Sequence, residues 1–385
     1  MDNLFFTDEH IMIRDMVREF ADTEITPVAR DLDEQGEFPT ALVNKMGELG
    51  LMGILIPEEY GGSGLDMVAF ATAIIELARA DASVAITMAA HTSLGSLPIL
   101  MFGSDEQKNS YLPKLATGEM LGAFGLTEPD AGSDAGATKT KAVRDGNEYV
   151  VNGGKIFITN AGKAGVLSFT SQVIENGKNL GIAAFSISTN TPGLEIGPKE
   201  KKMGWRASDT RQLFFKDMRI QATSMLGTPA NGFKTFLKTL TSGRVSIGAL
   251  SIGTALGAYE RALAYSTERI AFGKPINNFQ SVGFKLADMA TKIEASKLLV
   301  FHAAWMKDQG LDITKEAAMA KLFASETAME VTTEAIQIHG GYGYVKEYDV
   351  ERFFRDAKIL EIGEGTSEIQ RLIISREILK EIQIL

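Results

Sequence analysis

Apolar residues fall into three successive patterns along this chain. From Thr7 to about Gly118 the period is helical: Ile13, Met16, Val17, Phe20 and Ala21 stand at i, i+3, i+4, i+7 and i+8, on one helix face. Thr7 reads as the N-cap of that helix, with Asp8 and Glu9 in its first turn. Pro57 and the Gly61-Gly62-Ser63-Gly64 cluster predict a loop between helices. From about Leu121 to Thr228, short β-prone runs alternate with turns. Asp145-Gly146 precedes NEYVV, Asn152-Gly153 precedes KIFIT, and Glu175-Asn176-Gly177-Lys178-Asn179 separates GVLSFTSQVI from LGIAAFSI; RQLFFKDMRI is a further run. This spacing predicts an antiparallel sheet or small barrel, and the lack of strand–helix–strand units counts against a doubly wound nucleotide fold. From about Asn231 the helical period returns. Leu286, Met289, Ala290 and Ile293 form a stripe, Glu316 to Ile338 is rich in helix formers, and Gly248, Ser251, Ala255 and Ala262 predict a closely packed helix. The expected plan is mostly α with a middle β-domain: helical over 1–120, β over 121–230 and helical again over 231–385.

Composition narrows the function. A chain of 385 residues predicts two or three domains, and 45% apolar with 23% charged residues is ordinary globular composition. A net charge of −10 argues against nucleic acid as partner, while leaving room for an anionic ligand held by a few local cations. Cysteine is absent, which removes disulfides, thiolate chemistry and Cys-based zinc sites. His10, His91, His302 and His339 never stand at i,i+3 or i,i+4, so no metal centre is expected. The first residues lack the layout of a signal or transit peptide, and no apolar run reaches the roughly 18 residues of a membrane span. A cytoplasmic, bacterial-type enzyme fits; a mature organelle protein that has lost its leader would look the same.

Four segments could carry chemistry. In Glu361-Ile362-Gly363-Glu364-Gly365-Thr366-Ser367-Glu368-Ile369-Gln370 a carboxylate stands between two glycines. Glycines let a ligand come close and leave neighbouring N–H groups accessible, so Glu364 could act as a base while its own amide polarises the carbonyl being activated. Alone, the segment reads more readily as a helix-breaking loop with a solvated Glu. Gly125 to Gly136 is a turn-rich loop with many backbone donors, suited to a phosphate or heterocycle or to a plain surface. Arg269 with Phe272-Gly273-Lys274-Pro275 supplies a cation and a turn, and Gln337 to Tyr344 brings glycine backbone close to a possible pyrophosphate, or simply caps a helix. No dinucleotide fingerprint, Walker A motif or nucleophile elbow occurs. Redox chemistry here would need an organic cofactor such as flavin.

Taken in order, these segments resemble the acyl-CoA dehydrogenase family over essentially the whole chain. The match runs through PEEYGGSG (Pro57 to Gly64), GLTEPDAGSDAG (Gly125 to Gly136), KIFITN (Lys155 to Asn160), KKMGWRASDT (Lys201 to Thr210), SGR (Ser242 to Arg244), RIAFGKPI (Arg269 to Ile276), FQSVGFKLADM (Phe279 to Met289), QIHGGYGY and EGTSEIQR. The resemblance implies an N-terminal helical domain, a middle β-domain and a C-terminal four-helix bundle, with FAD between the last two and its adenosine end reaching a neighbouring subunit. It implies that Phe124, Leu126, Thr127 and Ser133 line the flavin or thioester, and that Phe157 and Thr159 flank the isoalloxazine. Arg269, Phe272, Phe279, Gln280, Gln337, Gly340 and Gly341 would hold the pyrophosphate and adenosine, and Thr366 and Glu368 would complete the flavin contacts. Ser133, Arg244 and Gly365 match positions close to the acyl-CoA. Glu364 would take the α-proton while the β-hydrogen leaves as hydride to flavin N5. Electrons would then pass to an electron-transferring flavoprotein, and the protein would be a homotetramer working in fatty acid β-oxidation.

The chain departs from the family pattern at three places, and at a fourth it narrows a choice that members of the family make differently. Gly243 stands where some members carry the base, which leaves Glu364 as the candidate. Gly363 replaces a frequent Tyr, Phe157 a common Trp, and Thr241 the usual Asp of the substrate helix. These changes reshape the acyl pocket without removing a group that the oxidation needs; short straight chains are the expectation, from overall similarity. Two rival readings remain: an oxidase or lyase on the same scaffold, and a non-catalytic acyl-CoA or flavin binder.

Overall fold

The computed structural model describes residues 2–228 and 232–384, and the side chains of 4–228 and 237–381 within them. Helix α1 (Asp8–Phe20) begins at Thr7, whose hydroxyl accepts the His10 N–H while the His10 ring accepts the Thr7 N–H at 2.9 Å. Its stripe goes inward as expected, with Ile13, Val17 and Phe20 buried. Helices α2 (Met67–Ala80) and α3 (Ala82–Ala90) share Asp81, which closes one and caps the other by accepting the Val84 N–H at 3.0 Å.

The helical run Ala82–Phe102 corrects one expectation. Its 21 residues, at mean hydropathy 1.4, are long and apolar enough to cross a membrane, but 83% of its most apolar window is buried inside the protein. Polar Thr92, Ser93 and Ser96 interrupt it and sit in the same interior, so it packs as a core helix. Strand β1 (Leu121–Gly125) crosses it at Gly95 and Gly122, where a Cβ on either residue would come within 2.7 Å of the other.

The other strands of the same sheet are β2 (Lys141–Asp145), β3 (Glu148–Thr159), β4 (Ala164–Glu175), β5 (Lys178–Ser188), β6 (Leu194–Lys199), β7 (Thr210–Gln221) and β8 (Met225–Leu226). They make one sheet in the order β6-β7-β3-β2-β4-β5-β8, with β1 also on β4. Most pairs are antiparallel, but β1 and β2 lie end to end along one edge of β4 and are both parallel to it. Asn176-Gly177 makes the expected two-residue turn, with φ of 48° and 74°. Asn152-Gly153, expected as a turn, is instead a bulge inside the continuous strand β3, where Gly153 adopts φ 142° against Thr140.

The C-terminal helices are α4 (Gly232–Glu268), α5 (Gln280–Asp308), α6 (Thr314–His339), α7 (Val350–Ala357) and α8 (Ser367–Ile384). Helix α4 packs almost backbone to backbone on α2: a Cβ on Gly253 would lie 2.3 Å from the Ile75 carbonyl, and one on Gly257 2.3 Å from that of Arg79. The N- and C-terminal helices therefore share one hydrophobic core, and the sheet has its own, centred on Phe169, Phe185 and Phe215. The mostly helical plan with a middle sheet is borne out.

Candidate functional site

Two consecutive residues between Ile362 and helix α8 adopt left-handed backbone, Glu364 at φ 53° and Gly365 at φ 95°. Thr366 ends the turn by capping α8, its hydroxyl accepting the Ile369 N–H at 3.3 Å. The turn throws the Glu364 side chain onto helix α4 at Gly243: a Cβ there would stand 1.9 Å from Glu364 Oε2 and 3.4 Å from Leu94 Cδ2. Gly243 is thus the gap in which the carboxylate lodges. Leu94 belongs to a small apolar cluster with Phe124, Leu126 and Leu240, so the loop after β1 comes alongside the same spot.

The carboxylate is desolvated. Glu364 Oε2 is buried and accepts no hydrogen bond among the described residues, and burial pushes the group up to about 7 against the opposing pull of Lys321 and Arg244. Arg244 is buried as well, with its guanidinium 3.5 Å from the Thr241 hydroxyl and its Nε unpartnered among the described residues. Among the described residues, Ser242 Oγ, Arg244 Nε, Glu364 Oε2, Ser367 Oγ and Gln370 Oε1 are all buried without a partner, and all belong to the two segments that meet here. Buried polar atoms are normally satisfied, so such a cluster marks the place where a ligand supplies what the chain does not. The Glu364 amide N–H likewise makes no hydrogen bond among the described residues. A carboxyl group that ionises near neutral pH beside a free amide donor can move a proton and polarise a carbonyl.

The other expected residues sort into three places. Leu126, Thr127 and their loop are tied to β3, with the Leu126 carbonyl accepting from Lys155 Nζ at 3.1 Å and the Thr127 carbonyl from the Ile156 N–H at 2.9 Å. Ser133 is exposed farther along this loop, beside Gly132, where a Cβ would meet nothing. Phe157 stands at a second bulge of β3, at φ 61° and 63% exposed, two residues before half-buried Thr159. Bulges of this kind re-aim a side chain, here off the sheet and onto open space. The third place is remote. Arg269, Gly340 and Gly341 line a cavity of about 490 Å³ with Tyr265, His339 and Tyr342, and Arg269 lies over the Tyr342 ring at 5.5 Å. Phe272 and Phe279 meet edge to face and Gln280 and Gln337 are exposed, while Glu368, also exposed, stands apart from this place in the first turn of α8, four residues after Glu364. From Lys321, which touches the Glu364 turn, to Gly340 is roughly 28 Å along α6.

Four residues of this architecture have a supporting role that the sequence pattern does not assign. Lys321 and Gln370 hold the Glu364–Gly365 turn by its carbonyls. Glu128 and Lys155 form a buried ion pair of 2.7 Å under the loop after β1. A signal existed for Lys321: Ala317, Ala320, Lys321 and Ala324 stand at i, i+3, i+4 and i+7, which puts a lysine on a buried stripe.

A helix–sheet–helix protein with a desolvated carboxylate and a glycine-lined cationic cavity has the makings of a cofactor-dependent enzyme. Family sequence models settle which: the N-terminal, middle and C-terminal domains of acyl-CoA dehydrogenase match residues 7–119, 123–218 and 230–379. The chain belongs to the acyl-CoA dehydrogenase family, whose members are FAD-dependent oxidoreductases. It is 53% identical to the probable acyl-CoA dehydrogenase YngJ of Bacillus subtilis over 98% of this chain and 100% of that one. Among solved structures, butyryl-CoA dehydrogenase from Megasphaera elsdenii superimposes with a TM-score of 0.94 at 43% identity, covering 97% of this chain and 98% of that one. A chain from the structure described as "Electron transferring flavoprotein of Acidaminococcus fermentans: Towards a mechanism of flavin-based electron bifurcation" also gives 0.94, at 45% identity and the same coverage.

Proposed function

We propose that the protein dehydrogenates a short straight-chain acyl-CoA to the trans-2-enoyl-CoA, with Glu364 as the base. The observation that carries this is the desolvated Glu364 carboxylate lodged at Gly243, with further buried polar atoms on the same two segments that lack partners among the described residues. Butyrate-sized substrates are favoured because a butyryl-CoA dehydrogenase shares the fold over nearly its whole length.

The chain's own residues divide the work as follows. Glu364 takes the α-proton on its carboxylate, and the Glu364 N–H donates to the thioester oxygen as negative charge builds there. Arg244, buried on the next residue to Gly243, offsets that charge, and Gly365 lets the thioester approach the backbone. FAD, when bound, supplies the acceptor for the β-hydrogen, which leaves as hydride. Phe124, Leu126, Thr127, Ser133, Phe157, Thr159, Thr366 and Glu368 would form its bed. Arg269, Phe272, Phe279, Gln280, Gln337, Gly340 and Gly341 would take the pyrophosphate and adenosine of a second FAD molecule, since roughly 28 Å of helix separates them from the Glu364 turn. That arrangement needs a second copy of the chain, and a homotetramer is our reading. An electron-transferring flavoprotein is the proposed acceptor, in keeping with the similarity to a chain from such a system. Place of action in β-oxidation, in the cytoplasm, and division into domains at 1–120, 121–230 and 231–385 belong to the same proposal.

Glu364→Gln tests it. The variant should stay folded and yellow, while flavin bleaching on anaerobic addition of butyryl-CoA drops by about 10²-fold or more. Bleaching at the wild-type rate would remove Glu364 as base. Peroxide formed in proportion to oxygen consumed would point to an oxidase, and a wild-type protein that never bleaches with acyl-CoA esters of any length would be a binder.

A further inference from the structure

Lys321 is fully buried on the inner face of α6 among Ala317, Ala318, Ala320 and Ala324. No carboxylate lies within ion-pair distance of it among the described residues; its Nζ donates instead to the Gly365 carbonyl at 2.8 Å. An ammonium held in a helical core without a paired anion is costly, because burial strips its hydration with no opposite charge to replace it. Its position is therefore hard to explain by packing alone.

What it grips is the turn that aims the base. Gln370 Nε2 donates to the same Gly365 carbonyl at 2.9 Å and to the Glu364 carbonyl at 3.2 Å. Together the two side chains fix a pair of successive left-handed residues, one of which is not glycine. A backbone of that kind persists only where its surroundings over-determine it. The charged groups facing Lys321 are Glu364, Glu361, Arg244 and Glu326. Burial draws its ammonium down to about 8, with Glu364 the leading influence in the opposite direction.

We propose that Lys321 is a positioning residue for Glu364: it fixes the Glu364–Gly365 turn through the Gly365 carbonyl and supplies the cation that faces the base when the base is ionised. The proposal deepens the reading of Glu364 as base, but its electrostatic half concerns the resting protein and can be measured without turnover.

Two variants separate hydrogen bond from charge. Lys321→Gln keeps an N–H donor and loses the charge; Lys321→Met loses both. In FAD-loaded protein carrying carboxyl-13C glutamate, the Glu364 resonance is the one missing from Glu364→Gln. Its titration midpoint should rise by about one unit in both variants. In anaerobic reduction by butyryl-CoA, the rate on the high-pH plateau should fall about tenfold or more in Lys321→Met and stay near wild type in Lys321→Gln. An unmoved midpoint overturns the proposal, even if activity falls, because a merely structural lysine would give that result. A Lys321→Met plateau equal to that of Lys321→Gln overturns the positioning half. Should wild-type protein fail to bleach at all, the reading of the reaction fails, and the carboxyl titration still decides the electrostatic role of Lys321.

Discussion

Gly243 and Glu364 are a lock at the scale of single residues. The carboxylate fills the volume that any side chain at position 243 would need, with Oε2 1.9 Å from the site of a Cβ. Gly243→Ala should therefore displace the Glu364 carboxylate while sparing the fold, because the clashing atoms are the far end of a flexible side chain. Alanine in a helix is also favoured over glycine by about 1 kcal/mol, which offsets whatever contact is strained. The expected outcome is flavin reduction slowed by about 10²-fold with a melting temperature equal to or above that of wild type, read by anaerobic stopped flow and calorimetry. Reduction at the wild-type rate would show that the carboxylate does not lodge there.

At the scale of elements, the loop between β1 and β2 owes its shape to a buried pair. Glu128 accepts from Lys155 Nζ at 2.7 Å, from the Lys139 N–H at 2.6 Å, from the Thr140 N–H at 3.2 Å and from the Thr138 hydroxyl. These contacts outweigh the effect of burial and hold the carboxyl down to about 2, while burial draws Lys155 down to about 8. A carboxyl depressed below its unfolded value of 4.5 contributes stability that is present above that pH and is lost as pH falls towards 2. Lys155→Met leaves Glu128 charged, buried and unpaired, and should cost about 3–5 kcal/mol in denaturant unfolding. Because Lys155 also holds the Leu126 carbonyl, the variant should lose flavin on gel filtration where wild type keeps it. Full flavin retention would mean that the loop keeps its shape without the pair.

Across the whole molecule, the short helix α7 joins the three segments. Arg352 meets Asp81 at 2.7 Å, Arg355 meets Asp33 at 2.6 Å, and Asp356 accepts the N–H of Trp205 from the β-domain at 2.6 Å. Burial, with Asp81 nearby, pushes Asp356 up to about 7. Its folded value lies above the unfolded 3.8, so between the two the folded state holds the extra proton and stability falls as pH rises. Asp356→Asn keeps the oxygen that accepts from Trp205 and removes the ionisation. The melting temperature of the variant minus that of wild type should therefore become steadily more positive from about pH 4 to pH 7 and level off above. A difference independent of pH would show that Asp356 ionises freely in the folded protein.

Sequence alone determined what is set by short-range sterics and periodicity. Thr7 caps α1, Asn176-Gly177 turns a hairpin, the Ile13-Val17-Phe20 stripe goes inward, and Glu364 between two glycines sits in a backbone kink. Each of these follows from φ preferences or side-chain direction within a few residues, and the order of motifs was enough to resemble one family along its length. Tertiary structure decided whatever depends on residues brought together from distant parts of the chain. That Asn152-Gly153 bulges inside a strand, that β1 and β2 run parallel to β4, that Gly243 is the socket for Glu364, and that Lys321, Gln370, Glu128 and Lys155 hold the site from beneath all rest on which surfaces meet. Burial and desolvation are properties of the packed interior, and no local stretch of sequence contains them.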